Sequence, residues 1–184
     1  MTLASTARLL PLAATALLAA CASTVLNPTP PGVAIPANLA APGGETLLRT
    51  LSADGVQIYE CRAKPDGKSA PEWAFVAPDA NLVDANGVLV GHHGAGPTWE
   101  AGDGSKVVGT VKAKVDSTEP GAIPWLLLET HSTGKPGLFA KVTTVQRLAT
   151  KGGAMPVAGC DATTIGKQVK VPYKAQYTQY APTF

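Results

Sequence analysis

The chain has 184 residues, the size of one ordinary domain. Its 15 basic and 13 acidic side chains leave a net charge of +2, too close to neutral for a typical nucleic-acid binder or a protein held to anionic lipid by charge. Charged residues are only 15%, hydrophobic ones 45%, and the 19 glycines and 16 prolines make up about a fifth of the chain. These numbers exclude a coiled coil, a collagen and a highly charged disordered chain, and they favour a turn-rich β domain.

Residues 1–20 read as a signal peptide. Arg8 supplies a short positive n-region, and Leu9 to Ala20 form an apolar run. About twelve residues cannot span a bilayer core of about 30 Å, but they suit a signal h-region with small residues before a cleavage site. Leu18-Ala19-Ala20-Cys21 resembles the bacterial lipobox. That resemblance implies cleavage before Cys21, acylation of its sulfur and anchoring in a lipid bilayer. The expected place is the bacterial cell envelope. Ala22, where Asp would favour the inner membrane, points to the periplasmic face of the outer membrane. An ordinary secretory signal and a secreted protein are the alternative. Residues 21–44 hold five prolines with Ala, Thr, Asn and Gly and no apolar period, so they read as a lipid-anchored tether. The domain is expected over 45–184.

With Cys21 taken by the anchor, Cys61 and Cys160 remain. In an oxidising compartment the simplest reading is one disulfide between them. Two free thiols or a metal pair are the alternative, although neither cysteine has C-x-x-C spacing.

The elements follow in chain order. Leu47–Leu51 and Val56–Arg62, with Ala53-Asp54-Gly55 between, read as a hairpin, because Asp-Gly between apolar runs is a strong turn signal. Alternation puts Val56, Ile58 and Glu60 on one face and Gln57, Tyr59 and Cys61 on the other. Pro65-Asp66-Gly67 is a turn. Glu72–Val76 is a short strand that Pro78 ends. Asn86-Gly87 turns the chain again, and Val88–Val90 resumes. His92 and His93 lead into Gly94-Ala95-Gly96-Pro97 and then Thr98-Trp99-Glu100. Gly102-Asp103-Gly104 turns into the alternating strand Lys106–Val115. Ile123–Thr130, the most apolar segment, is a central strand, and Leu138–Leu148 follows. Gly152-Gly153 and Pro156 break the chain, 159–168 is a loop or short helix, and Val169–Val171 and Ala175–Tyr180 close the domain. Strands recurring every 8–14 residues between Gly, Pro, Asn and Asp predict an all-β fold, a single sandwich or jelly-roll-like barrel.

Several segments together carry a resemblance. They are Gln57-Ile58-Tyr59-Glu60-Cys61, Trp73-Ala74-Phe75, His93-x-Ala95-Gly96-Pro97-Thr98-Trp99-Glu100, Asp103-Gly104-Ser105, Ile123-Pro124-Trp125-Leu126-Leu127-Leu128, Gln146-Arg147, Cys160-Asp161 and Val171-Pro172-Tyr173. They resemble the domain of unknown function 3455 of bacterial and fungal secreted proteins, over about residues 45–184. Gly94 stands where an aromatic is more usual, and Gln176 where an acid is common. The resemblance implies an extracytoplasmic β domain and brings no mechanism with it.

Candidate chemistry centres on His92–Asp103. Adjacent histidines on a strand face opposite ways, so the two do not readily share one metal. His93, Trp99, Glu100 and Asp103 are the candidate ligand-binding residues, and His131 is a possible further partner of His93. Ser105 follows Asp103-Gly104, but no G-x-S-x-G elbow is present, and no G-x-G-x-x-G marks a dinucleotide site. The aromatic set Tyr59, Trp73, Trp99, Trp125, Tyr173, Tyr177 and Tyr180 fills a core or grips a ligand. Arg147 meets either a carboxylate ligand or an internal acid such as Asp161. No catalytic residue, metal or cofactor is assigned, and the reading leans away from an enzyme. The expectation is an envelope lipoprotein domain that binds a small molecule or glycan. The alternatives are a hydrolase or metal-assisted enzyme using His93 with Glu100 or Asp103, and a structural envelope protein without ligand.

Overall fold

The computed structural model describes residues 34–183. The segment read as a signal peptide, Cys21 and most of the segment read as a tether lie outside them. The described chain is all-β, with one 3-10 turn at Ala37–Leu39. Eight strands follow: β1 Glu45–Arg62, β2 Glu72–Val83, β3 Leu89–Gly94, β4 Thr98–Ala101, β5 Lys106–Val115, β6 Trp125–Ser132, β7 Thr144–Gly152 and β8 Gln168–Pro182. Each pairs antiparallel with the next, and β8 pairs with β1 to close a barrel. Of the two architectures expected, the barrel is the one formed. Its connections run up and down, without the crossovers of a jelly roll.

The period of two decides what lines the interior. On β1, Leu51, Ala53, Gln57, Tyr59 and Cys61 are buried. They are met by Trp99, Val107, Leu128, Val145, Tyr173 and Tyr177 from the other strands. The predicted hairpin at 45–62 is not formed: β1 runs straight through Asp54 and Gly55. The glycine serves close approach instead of a turn. A Cβ at Gly55 would come within 2.2 Å of the Asp79 carbonyl oxygen and 2.4 Å of the Ala80 Cα on β2.

Pro78 does not end its strand as expected, and β8 likewise runs through Pro172. β2 pairs with β3 only from Ala80 to Val83, and β8 pairs with β7 only up to Tyr173. Each proline therefore sits just beyond one ladder, where a missing N–H costs least. The turns at Pro65–Gly67, Asn86–Gly87 and Gly102–Gly104 form as read. Residues 159–168 are turns and loop.

The two ends of the barrel differ. The floor is covered by the β6–β7 connection, which carries Phe139 and Val142 into the core. At the other end, β1–β2 and β5–β6 extend well past the short β3–β4 hairpin. Upper β2 (72–79) has no partner on the β3 side. Upper β5, from Thr110 onward, has none on the β4 side, the last bond there being Gly109 N to the Pro97 carbonyl at 2.9 Å. The wall is thus cut low between two long arms. A bulge opposite Ile58/Tyr59 leaves Val76 unpaired and turns Phe75, 52% exposed, to the rim.

The packed chain also begins before residue 45. Ala37–Leu39 contacts β5 and β6, Leu39 is fully buried, and Gln146 Nε2 donates to the Leu39 carbonyl at 2.6 Å. Composition alone assigns this stretch to the tether because one buried leucine among prolines leaves no period.

Cys61 and Cys160 form a disulfide with Cα atoms 5.3 Å apart. It pins the loop after β7 beside the open end. There Tyr59 donates to the Gly153 carbonyl at 2.7 Å, and Trp73 Nε1 donates to the Ala158 carbonyl at 2.8 Å.

Candidate functional site

The low wall opens into a cavity of about 470 Å³ inside the barrel. This lies within the usual range for small-molecule sites, roughly 300–1,000 Å³. Every strand contributes to it. Gln57 and Tyr59 come from β1, Phe75 and Pro78 from β2, His93 and Trp99 from the β3–β4 hairpin, and Val111 from β5. Leu126 and Leu128 come from β6, Arg147 from β7 and Tyr177 from β8. Gly96 and Pro97 form the low lip, and Ile123 and Pro124 also line the cavity. Among the described residues the lining is largely apolar and aromatic, with no carboxylate in it.

His93 is 2% exposed. Its ring stacks on Trp99 with centroids 4.5 Å apart and planes 20° apart, and Tyr177 lies tilted against it at 4.9 Å. Nδ1–H donates to the Thr98 carbonyl at 2.8 Å. That bond fixes the tautomer and leaves Nε2 as a lone-pair acceptor. Burial, first of all, pushes the His93 pKa from 6.5 down to about 3, with nearby Arg147 acting in the same direction. The ring is therefore neutral in the cavity.

A stability dependence follows. The folded pKa lies below the unfolded value of about 6.5, so between about pH 6.5 and 3 the unfolded chain binds a proton that the folded chain does not. Stability should be complete above pH 6.5. It should fall by up to about 1.4 kcal/mol per pH unit below that. Asp66, Asp103 and Asp161 are held below the usual carboxylate range by hydrogen bonds. Their loss begins only near their unfolded pKa of about 4. Urea midpoints at pH 7 and pH 5 isolate the histidine: the wild-type midpoint should drop and that of His93→Gln should hardly move. Equal drops in both would show that His93 does not set this window.

The other candidate residues go elsewhere. Trp99 is fully buried and lines the cavity beside His93. Glu100, the next residue, faces outward and pairs with Lys106 at 2.9 Å. Asp103 lies at the floor, accepting from Ser105 N at 2.8 Å, Ser105 Oγ at 2.6 Å and Leu138 N at 2.7 Å. Ser105 in turn accepts from Phe139 N at 2.9 Å, so Asp103-Gly104-Ser105 fastens the floor loop. His92 is exposed and bonded to Asp79 at 2.8 Å, and His131 is exposed. The expected pairing of His93 with Glu100 or Asp103 is therefore corrected: strand alternation sends Glu100 to the outside and the turn sends Asp103 to the far end. Among the described residues, no three His, Cys, Asp or Glu side chains gather as metal ligands.

The cavity adds Gln57, Phe75, Pro78, Val111 and Leu126 to the residues singled out by sequence. Arg147 and Tyr177, named as candidates there, are part of it. Arg147 does not meet Asp161, which caps its own turn through Thr163. Its Nε donates to the Pro124 carbonyl at 3.0 Å. The strand bulges immediately afterwards, with Ala149 at φ 49°, a left-handed conformation costly for a non-glycine residue. Burial raises the pKa of Tyr177 and of Tyr59, while the Arg147 charge acts against it in both.

Fold and site together define an eight-stranded up-and-down barrel with a ligand-sized interior, a strand number that leaves room for side chains or one small ligand. The chain belongs to the family described as "Protein of unknown function (DUF3455)", whose profile matches residues 42–181. Neither a search of the curated proteins nor one of the solved structures gives a match.

Proposed function

We propose that this domain binds one small, mostly apolar molecule inside its barrel and presents it at the bacterial cell envelope, on a chain anchored through acylated Cys21. The observation that carries the reading is the cavity of about 470 Å³, open beside a low lip and walled by His93, Trp99, Phe75 and Leu126. Interiors are normally filled to crystal-like density, and a void of this size forfeits contacts unless something occupies it. The apolar lining favours a hydrocarbon or aromatic body over a glycan, which needs a polar partner at almost every hydroxyl. The lipobox-like Leu18–Cys21 supports the envelope location.

The test uses the full chain and a neutral apolar fluorophore, N-phenyl-1-naphthylamine. It should bind one per chain, with fluorescence rising as it leaves water. Leu126→Trp, which fills the cavity from β6, should weaken binding at least tenfold. Absence of saturable binding, or binding indifferent to Leu126→Trp in a folded variant, would overturn the reading.

A further inference from the structure

We propose that the cavity's ligand carries a single carboxylate, held by Arg147, on an aromatic or short aliphatic body; this rests on the cavity being a binding site. Among the described residues, Arg147 is the only charged side chain that lines it. Its Nε donates to the Pro124 carbonyl, which fixes the plane of the guanidinium, and a side-chain hydrogen bond joins Arg147 to the Tyr177 hydroxyl. That hydroxyl is neutral, so the charge itself has no anion beside it. Among the described residues, no ion pair includes Arg147. A guanidinium partly withdrawn from water without an anion is costly, and its planar fork matches a carboxylate with two parallel bonds.

A second observation points the same way. Gln57 lines the cavity, is 2% exposed, and its Nε2 has no acceptor. The buried Trp99 Nε1 also lacks one. These orphaned groups are donors shut away from solvent, and donor dipoles behind the wall favour an acceptor-only group such as an ionised carboxylate, with about four lone-pair sites. The one bare ring acceptor, His93 Nε2, is uncharged. A single cation balances a monoanion, whereas a phosphate dianion would leave a net negative charge in an apolar cavity. At about 30 Å³ per water-sized group, the volume holds about fifteen non-hydrogen atoms, and the open mouth leaves room for a ring edge beyond that.

The experiment titrates the full chain with 2-naphthoate, 2-naphthalenemethanol and 2-naphthyl phosphate, three probes that share one aromatic body. The carboxylate should bind at least tenfold tighter than the alcohol and tighter than the phosphate. Arg147→Met should remove that preference, so that the carboxylate binds no tighter than the alcohol. Gln57→Leu, which keeps the charge, should reduce the preference without abolishing it. Equal affinities for carboxylate and alcohol in the wild-type protein would overturn the proposal without any variant being needed. So would a preference that survives Arg147→Met, or tighter binding of the phosphate. N-phenyl-1-naphthylamine separates the two readings. If that neutral dye binds and the carboxylate shows no preference, only the anion assignment falls. If neither the dye nor any naphthyl probe binds, the binding reading falls with it.

Discussion

Replacing both Cys61 and Cys160 by alanine should lower the unfolding free energy by as much as about 4.7 kcal/mol, the loop-entropy value for a closed loop of about 100 residues. The two cysteines are 99 apart in sequence, so the bond removes freedom mainly from the unfolded chain. The folded end of the barrel keeps other ties. Cys61 N donates to the Lys167 carbonyl at 2.9 Å and Gly166 N to the Cys61 carbonyl at 2.8 Å. Tyr59 and Trp73 retain their bonds to the same loop. The variant should therefore fold with the barrel intact and a lower urea midpoint. A loss below about 1 kcal/mol would mean that the unfolded chain is already restricted in some other way.

Trp99→Ala should cost about 3–5 kcal/mol, the usual range for deleting a large aromatic from a core. The indole is fully buried and lies over a glycine chosen to receive it: a Cβ at Gly109 would come within 2.9 Å of Trp99 Cζ3. His93 loses its stacking partner, and Tyr177 its edge contact at 5.6 Å. Trp99→Phe should cost clearly less, for two reasons. Phenylalanine restores much of the volume, and it carries no N–H to be buried without an acceptor, a penalty of about 1–3 kcal/mol. Urea unfolding of both variants at pH 7 decides the matter. Equal losses would show that the unpartnered Nε1 has no energetic weight.

Local chemistry was legible where the chain needs only its neighbours. Pro65-Asp66-Gly67, Asn86-Gly87 and Gly102-Asp103-Gly104 turn because their residues tolerate the required backbone. The opposite faces of His92 and His93 follow from the strand period alone. Asp54-Gly55 misleads because the same dipeptide also suits a strand pressed against another backbone, and only the position of Asp79 and Ala80 distinguishes the two. Pro78 reads as a break because the limit of the β3 ladder is a tertiary fact. The Cys61–Cys160 pairing was accessible by counting. Of the site, His93, Trp99, Arg147 and Tyr177 were visible as residue types worth attention. Their convergence was not, since they come from strands separated by up to 84 positions and meet only when β8 closes on β1. Glu100 and Asp103 misled through closeness in sequence, which a strand and a turn convert into opposite sides and opposite ends.

The cut in the wall has a consequence for how copies of this protein behave together. An unpaired strand margin offers N–H and C=O groups that another chain can recruit, the first step of edge-to-edge aggregation. Here the margin of β2 is spoiled twice, by Pro78, which has no N–H to offer, and by the bulge at Val76, which breaks the register an incoming strand would need. The β2 side of the gap is thus a poor template for a second polypeptide, and high local concentration should not zip neighbouring barrels together through it.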